Sequence, residues 1–532
     1  MTTARRRSFF TPVLVPGAKF FCVASVLFLA SACTTLGPDF TRPDTPEPAA
    51  WSDQDQDQDH GTLGSEAAES LDWWQVFNDP VLNSLVEMAY QQNLSLQIAG
   101  LRILEARAQL GIAIGSQYPQ LQQAGGSATK HRLSENSPNF NPVADKNFMD
   151  YQAGFDAAWE IDFWGRFQRG IEAADANLSA SVADYQNALV SLTAEVARTY
   201  VIIRTLEERL VIAQENIKLQ GDSLRIANVR FTNGATTELD VQQAVSNLSE
   251  TRAQVPALRQ SLRQAKNGLS ILLGKPPSEL TNLLGEPGAI PVAPAHVAVG
   301  VPAELLRRRP DVQLAEMQAA SQSALVGVAR TELYPRFSLL GSIGYATSDT
   351  NNSSAGDLFD SDSLTYFAGP TFQWNILNYG RLKNNVRVQD ARYQQAIVSY
   401  QNTVLTAYQE VEDAMVAFIQ SQQESRFRGE AATASKKSTE IANIQYREGA
   451  VDFQRVIDSE RTLVLQQDSW TNTRGTIALN LIAMYKALGG GWESRAGDVF
   501  VSEGNRTEME ERTDWGDLLE DANAEDREQD KP

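Results

Sequence analysis

The sequence predicts a mixed α/β membrane protein made of two copies of one structural half, each pairing a long coiled-coil helical hairpin with two membrane β-strands. Three observations carry that expectation. The stretch WEIDFWGR, Trp159 to Arg166, returns as WNILNYGR, Trp374 to Arg381, at an offset of 215. Behind each copy lies a long proline-free stretch in which apolar residues recur in steps of four and three. Ahead of each copy the period drops to two.

The offset holds over most of the chain. Tyr185-Gln186-Asn187 recurs as Tyr400-Gln401-Asn402, and Leu273-Gly274 as Leu488-Gly489, both 215 apart. Phe231-Thr232-Asn233-Gly234 answers Tyr446-Arg447-Glu448-Gly449 at the same distance. Tyr118-Pro119 and Tyr334-Pro335 lie 216 apart, so one indel falls between. A period far beyond the roughly 20–50 residues of solenoid repeats is a tandem duplication of a large unit. A chain of 532 residues would ordinarily divide into several domains; the duplication argues for one elongated body instead.

The N-terminus, residues 1–32, reads as a signal peptide. Arg5, Arg6 and Arg7 are followed by a short apolar run, Phe20 to Ala30, that ends LASAC at Cys33. Small residues before a cysteine form a lipobox, so Cys33 is the expected lipidation site and the new N-terminus. Cys22 leaves with the signal, which makes Cys33 the sole thiol and excludes an intrachain disulfide. The lipidated segment and linker run over 33–66 and include the low-complexity SDQDQDQDHG, Ser52 to Gly61.

The first repeat is placed at 67–274. Tyr118-Pro119 ends a helix and opens a strand. That strand, Gln120 to Thr129, alternates poorly and rests on the repeat alone. In the next, Tyr151, Ala153, Phe155, Ala157, Trp159 and Ile161 alternate with Gln152, Gly154, Asp156, Glu160 and Asp162. One apolar, aromatic face and one polar face over about 10–12 residues fit a membrane strand with a wet interior. After Gly165 the seam Leu189, Leu192, Val196, Thr199, Ile203, Leu206, Leu210, Ala213 is the 3.5-residue repeat of a left-handed coiled coil. This helix could run some 65 residues, about 100 Å, before Gly234 turns it back.

A connector, 275–300, leads to the second repeat, 301–492. Phe337, Leu339, Ile343 and Tyr345 alternate with Ser338, Ser342 and Gly344; Tyr366, Ala368, Phe372, Trp374 and Ile376 alternate with Gly369, Thr371, Gln373 and Asn375. The helical seam returns as Tyr393, Ile397, Tyr400, Val404, Ala407, Val411, and Gly449 closes it. From Glu493 to Pro532 the chain carries 14 acidic and 5 basic residues with few apolar anchors, and a disordered acidic tail is expected. Beyond the signal no apolar run reaches the ~18 residues of a transmembrane helix.

Four strands cannot close a barrel, and an open strand edge cannot sit in lipid. The barrel must therefore be shared, and three chains would give twelve strands. The formal charge of −20 disfavours nucleic acid as a partner. Catalytic constellations are lacking. His60, His131 and His296 are scattered, so no metal site is expected; there is no G-x-S-x-G, and Gly274-Lys275-Pro276 lacks a phosphate loop. The expectation is a non-enzyme without cofactor.

At this point the chain resembles the TolC-type outer-membrane efflux proteins, in their lipoprotein branch (OprM-type, NodT-like). The resemblance rests on LDWWQVFNDPVLNSLVEMAYQQN (Leu71–Asn93), VPAELLRRRPDVQLAE (Val301–Glu316), TTLGPDFTRPDTP (Thr34–Pro46) and EIDFWGR (Glu160–Arg166), and covers about Cys33 to Trp492. It implies a homotrimer in the outer membrane: a shared twelve-stranded β-barrel, with the helical hairpins forming an α-barrel that extends into the periplasm. It also implies a tripartite efflux system, with a periplasmic adaptor (membrane fusion) protein and an inner-membrane pump of the RND type. Adaptor contact is expected at the turns around Gly234 and Gly449. The periplasmic gate is expected just past Gly449. Family members carry acidic residues six and nine places past the tip glycine; here those places hold Arg455 and Asp458, with Asp452 three past it. The alternative is a structural or adaptor-type periplasmic coiled-coil lipoprotein, which ion conductance would exclude.

Overall fold

The computed structural model describes residues 35–45, 51, 63–64, 72–136, 138, 145–277, 280–294, 297–298, 308–350, 353–495, 497 and 499–519. Cys33 and the linker 52–61 lie outside them. Two compact units divide the chain, one drawn from 1–41, 109–176 and 319–395, the other from 42–108, 177–318 and 396–532.

The elements come in two matching series. The first is α1 (Pro80–Gln92), α2 (Leu94–Gly115), β1 (Leu121–Arg132), β2 (Asn147–Ile161), α3 (Arg166–Thr232) and α4 (Glu238–Leu272). The second is α5 (Pro310–Thr331), β3 (Arg336–Ser348), β4 (Leu364–Gln373), α6 (Arg381–Arg447) and α7 (Phe453–Ala487). α3 and α6 both have 67 residues, α4 and α7 both 35, and α2 and α5 both 22. A 67-residue helix is about 100 Å long.

The first unit holds the sheet, in the order β1-β2-β3-β4 with every neighbour antiparallel. The repeated WEIDFWGR and WNILNYGR stretches do the same work in both series. The Trp159 indole N–H donates to the Gln117 carbonyl and that of Trp374 to the Leu333 carbonyl, each at 3.1 Å. Both acceptors stand two residues before the helix-ending proline, so each strand end is tied to the start of its partner. Trp374 lies one residue past β4, and the Ile376 amide turns back to the Trp374 carbonyl (3.1 Å). The strand expected to reach Ile376 therefore ends at Gln373, because this tie bends the chain there. Gly165 and Gly380 follow with φ of +74° and +82°, and their carbonyls accept the amides of Arg169 and Asn384 at 2.9 Å to open α3 and α6.

In the same unit the N-terminal strap is bolted to this junction. The Leu36 amide donates to the Trp164 carbonyl (3.1 Å), and Arg169 donates to the Leu36 carbonyl and pairs with Asp39 (2.6 Å). Gly37 lies against Gly327 so closely that a Cβ would fall 2.4 Å from the Gly327 Cα.

The second unit packs along the seam read from the sequence: Leu206 and Ala213 of α3 meet Val255 and Leu258 of α4, with Leu210, Ile217 and Leu262 around them. The returning helices end alike. Asn93, preceding α2, donates to the Leu272 carbonyl (2.9 Å); Arg309, preceding α5, donates to the Ala487 carbonyl (2.6 Å). Donor positions lie 216 apart and acceptors 215 apart, so one capping site serves both series with different chemistry. Arg309 also binds Asp311 through both carboxylate oxygens (3.0 and 2.8 Å) and Glu410 (2.7 Å). Burial pulls its pKa down, and these carboxylates more than offset that and raise it.

The connector is not featureless. Thr281–Leu284 forms a helical turn, and Val297–Ala298 pairs in parallel with Leu63–Gly64. Arg204 pins the turn by donating to the carbonyls of Leu284 (2.8 Å) and Glu286 (3.0 Å). It also binds Tyr200, whose phenol is pushed up to about 12 by burial and by its bond to Asp79.

The acidic tail corrects its expectation over 499–519. α8 (Glu503–Arg512) is capped by Ser502, and Val501 and Leu519 are buried on Leu104 with Leu101, Phe500, Met509 and Trp515 around them. Phe500 occupies the notch left by Gly100, where a Cβ would sit 1.9 Å from the Phe500 carbonyl oxygen. A few apolar residues spaced along an acidic segment suffice when a groove already exists for them.

Asn93→Ala is expected to lower stability by about 1 kcal/mol, the worth of a helix cap. Arg309→Ala is expected to cost about 2 kcal/mol, because it also strands carboxylates, discounted since Glu410 is half exposed. Melting temperatures of the purified proteins would check both the sign and the order.

Candidate membrane sheet and helix-tip site

Two sites have functional geometry. The first is the sheet. Registration puts Phe155 opposite Ile343, Trp159 opposite Leu339 and Ile161 opposite Phe337, and continues across β4 with Tyr366 and Phe372. This face is bare: Phe155 is 66% exposed, Ile343 54%, Tyr366 78% and Phe372 68%. Large apolar side chains in such number, unburied by their own chain, require an apolar medium. The opposite face carries Gln152, Asp156 and Glu160 beside Ser338, Ser342 and Thr371. Gln123 there donates to Asp156 (3.2 Å). Leu340 and Phe367 depart from the pattern and lie on the polar face. β1 contributes Gln122, Ala124, Gly126, Ala128, Lys130 and Arg132 to this face, with no large apolar side chain among them, which is why it alternates poorly.

Gly125, Gly154 and Gly344 stand in one row across β1, β2 and β3 on the polar face. A Cβ on Gly154 would come within 2.9 Å of the Gly344 Cα. β2 and β3 approach there as no other residue allows, while a Cβ on Gly125 would meet open space.

The second site is where the helices turn. At Gly234 (φ +69°) and Gly449 (φ +77°) the chain takes the left-handed conformation that glycine alone adopts without strain. The amides of Gly234 and Ala235 bond back to Phe231 (2.9 Å) and Arg230 (2.8 Å), and those of Gly449 and Ala450 to Tyr446 (3.0 Å) and Gln445 (2.8 Å). Both are Schellman caps. The two turns pack on one cluster, Ala227 and Ala244 from the first hairpin with Ala442, Tyr446, Phe453, Val456 and Ile457 from the second.

The residues expected to gate fall on one face of α7. Asp452 is its N-cap residue without a side-chain cap bond, and Asp452, Arg455 and Asp458 are all exposed while Phe453, Val456 and Ile457 point inward. Asp458 accepts from Gln454 (2.9 Å), so its intrachain partner is an amide rather than Arg455.

Sequence reasoning missed the strongest contact at the tips. Arg230 donates to the Tyr446 carbonyl (2.5 Å), and its guanidinium lies 4.7 Å from the Tyr446 ring centre. Tyr446 in turn packs against Phe453 with ring centres 5.0 Å apart and planes tilted by 50°. The signal was slight: Tyr446 stands where the first copy has Phe231. Among the described residues, no group of three or more His, Cys, Asp or Glu could hold a metal, and no helix is long and apolar enough to cross a membrane.

The family model described as "Outer membrane efflux protein" matches residues 85–275 and again 301–490. The probable outer membrane lipoprotein SilC of Salmonella typhimurium is 28% identical over 88% of this chain and 98% of its own length. The outer membrane protein OprJ of Pseudomonas aeruginosa is 29% identical over 88% of this chain and 95% of its own. Among solved structures, the outer-membrane channel OprN superposes with a TM-score of 0.79 at 32% identity, over 86% of this chain and all of that one. With both series matched by the model and the channel fold reproduced, this chain belongs to the outer membrane efflux protein family.

Proposed function

We propose that this chain is the outer-membrane channel of a tripartite efflux system, a passive conduit for small molecules from the periplasm, or from an inner-membrane pump, to the exterior. One observation carries the reading: a four-stranded sheet with a bare aromatic face, a polar face and an unpaired edge at each side. Three sheets, β4 of each chain against β1 of the next, make a closed twelve-stranded barrel and leave no edge in lipid. The polar face then lines a wet lumen. The two series are copies of one half, 67–274 and 301–492, whose long helices alternate around an α-barrel.

Cys33 is acylated at the outer membrane. Supporting this, the strap that begins two residues later is held at Gly165, where a Cβ would fall 2.5 Å from the Thr35 side chain. A periplasmic adaptor docks at the turns around Gly234 and Gly449 and links the channel to an RND-type pump. Asp452, Arg455 and Asp458, repeated three times by the trimer, form the mixed-charge ring of the periplasmic gate. A structural or adaptor-type lipoprotein would have no use for the sheet.

Purified protein in planar bilayers is expected to give single-channel currents, with weaker cation preference in Asp458→Ala; silence at every voltage would exclude the channel. Cys33→Ser is expected to lose its acyl group by mass spectrometry yet stay in the outer membrane, since one acyl signal binds only marginally beside a barrel. Gly449→Pro, which forces φ near −65° onto a residue at +77°, is expected to abolish pump-dependent export while trimers still assemble. Export at the wild-type rate would remove the turn from the docking site.

A further inference from the structure

Directly behind the apolar tip cluster lies a buried carboxylate. Glu460 of α7 is 2% exposed. All four long helices meet on it. Its Oε1 accepts from Ser223 Oγ of α3 (2.5 Å) and its Oε2 from Asn247 Nδ2 of α4 (3.0 Å), while Asn443 of α6 faces the same hydroxyl. Each group facing Glu460 from the other three helices is neutral. The nearest charge in the network is Arg461 on its own helix, and that guanidinium donates to Asn247 Oδ1 (3.3 Å), not to Glu460. An isolated buried carboxylate without a countercharge is costly.

The hydrogen count points the same way. Ser223 Oγ is within reach of three acceptors: Glu460 Oε1, Asn443 Oδ1 (3.1 Å) and the Leu219 carbonyl (3.3 Å). One hydroxyl hydrogen cannot serve them all. A proton on Glu460 Oε1 would donate to Ser223 Oγ and free the serine hydrogen for Asn443. Burial raises the Glu460 carboxyl above its ordinary range, and the hydrogen bonds of Ser223, Asn443 and Asn247 offset this only in part. Water is close at hand. A cavity of about 570 Å³ adjoins the network, lined by Asn247, Thr251, Arg461 and Gln220, with Glu250 and the Arg209–Asp468 pair at its wall. Gln220, 2% exposed, has both ends of its amide unpartnered.

We propose that Glu460 is a proton-operated latch between the two hairpin tips. It is neutral while the four helices pack around it and ionised once they part and the adjoining water reaches it. The inference rests on the channel reading and gives it a regulator, external to pump and adaptor: acid holds the tips together and rising pH loosens them. Because the packed form binds the extra proton, its advantage is complete below the ordinary carboxylate pKa. That advantage declines as pH rises towards the raised value and is flat beyond it.

The test uses the full chain in planar bilayers between about pH 4 and 8. The wild-type open fraction is expected to rise with pH, by at most about tenfold per unit for one proton. Glu460→Gln, which cannot ionise, is expected to stay low and flat. Asn247→Leu removes a donor to the ionised form and is expected to move the wild-type transition to higher pH. A Glu460→Gln response that follows the wild type, or an unmoved Asn247→Leu transition, overturns the latch. If no protein conducts, the channel reading fails by itself, and thermal unfolding decides the latch. The wild-type melting temperature should then fall over this pH range relative to Glu460→Gln; parallel profiles overturn it.

Discussion

An edge strand in hydrocarbon has no water to satisfy its amides and carbonyls, and each group left unpaired costs several kcal/mol. Among the described residues the sheet has two such edges: β1 pairs only with β2, and β4 only with β3. Its bare aromatic face excludes water as the surrounding medium, and the proposed assembly would let the edges find each other on separate chains. That requirement accounts for much that is otherwise unexplained. It would demand an even number of strands with matched direction, which the four antiparallel strands supply. It also demands that strand ends be fixed firmly, which the paired Trp159 and Trp374 indoles do.

The two series share a backbone plan but not an environment. Phe231 and Tyr446 are equivalent in sequence, yet Phe231 is 44% exposed and Tyr446 is 2% exposed beneath Arg230. Asn93 and Arg309 cap equivalent carbonyls, one by a neutral amide and the other by a guanidinium held between two carboxylates. A monomeric protein could keep two identical halves around a twofold axis. In the proposed tube the halves alternate, and each half would meet a different neighbour on either side. Divergence at the tips, where Arg230 and Glu460 create contacts within one chain, would follow from that inequality.

In the proposed channel, opening at the tips would hydrate their polar residues. Apolar packing among Phe453, Val456 and Ile457 is non-directional and would favour closure at any pH. A buried carboxylate and a cation over an aromatic ring are different in kind, since their worth depends on water, protonation and geometry. Such groups let a closed assembly be stable without being permanent.

How much of this was legible follows from the range of the interactions. Periodicity and punctuation are local, so the long helices, most of each strand and the tip glycines can be read from the residues alone. Tyr-Pro ends a helix, Gly449 reverses one, and alternation around Trp159 marks a face whatever lies beyond. Limits of strands were less secure, because β4 ends at Gln373 where the Ile376 amide turns back to the Trp374 carbonyl, a bend that alternation does not mark. The acidic tail was misread over 499–519 because composition reports the cost of ordering a segment but not the groove at Gly100 that receives Phe500. The Arg230–Tyr446 contact, the Arg204 clamp on the connector and the burial of Glu460 each join residues about 80 to more than 230 positions apart. No pattern within one helix distinguishes Glu460, packed among four helices, from Asp458, exposed half a turn before it; only the tertiary structure decided which carboxylate faces water, because burial belongs to the neighbours and not to the residue.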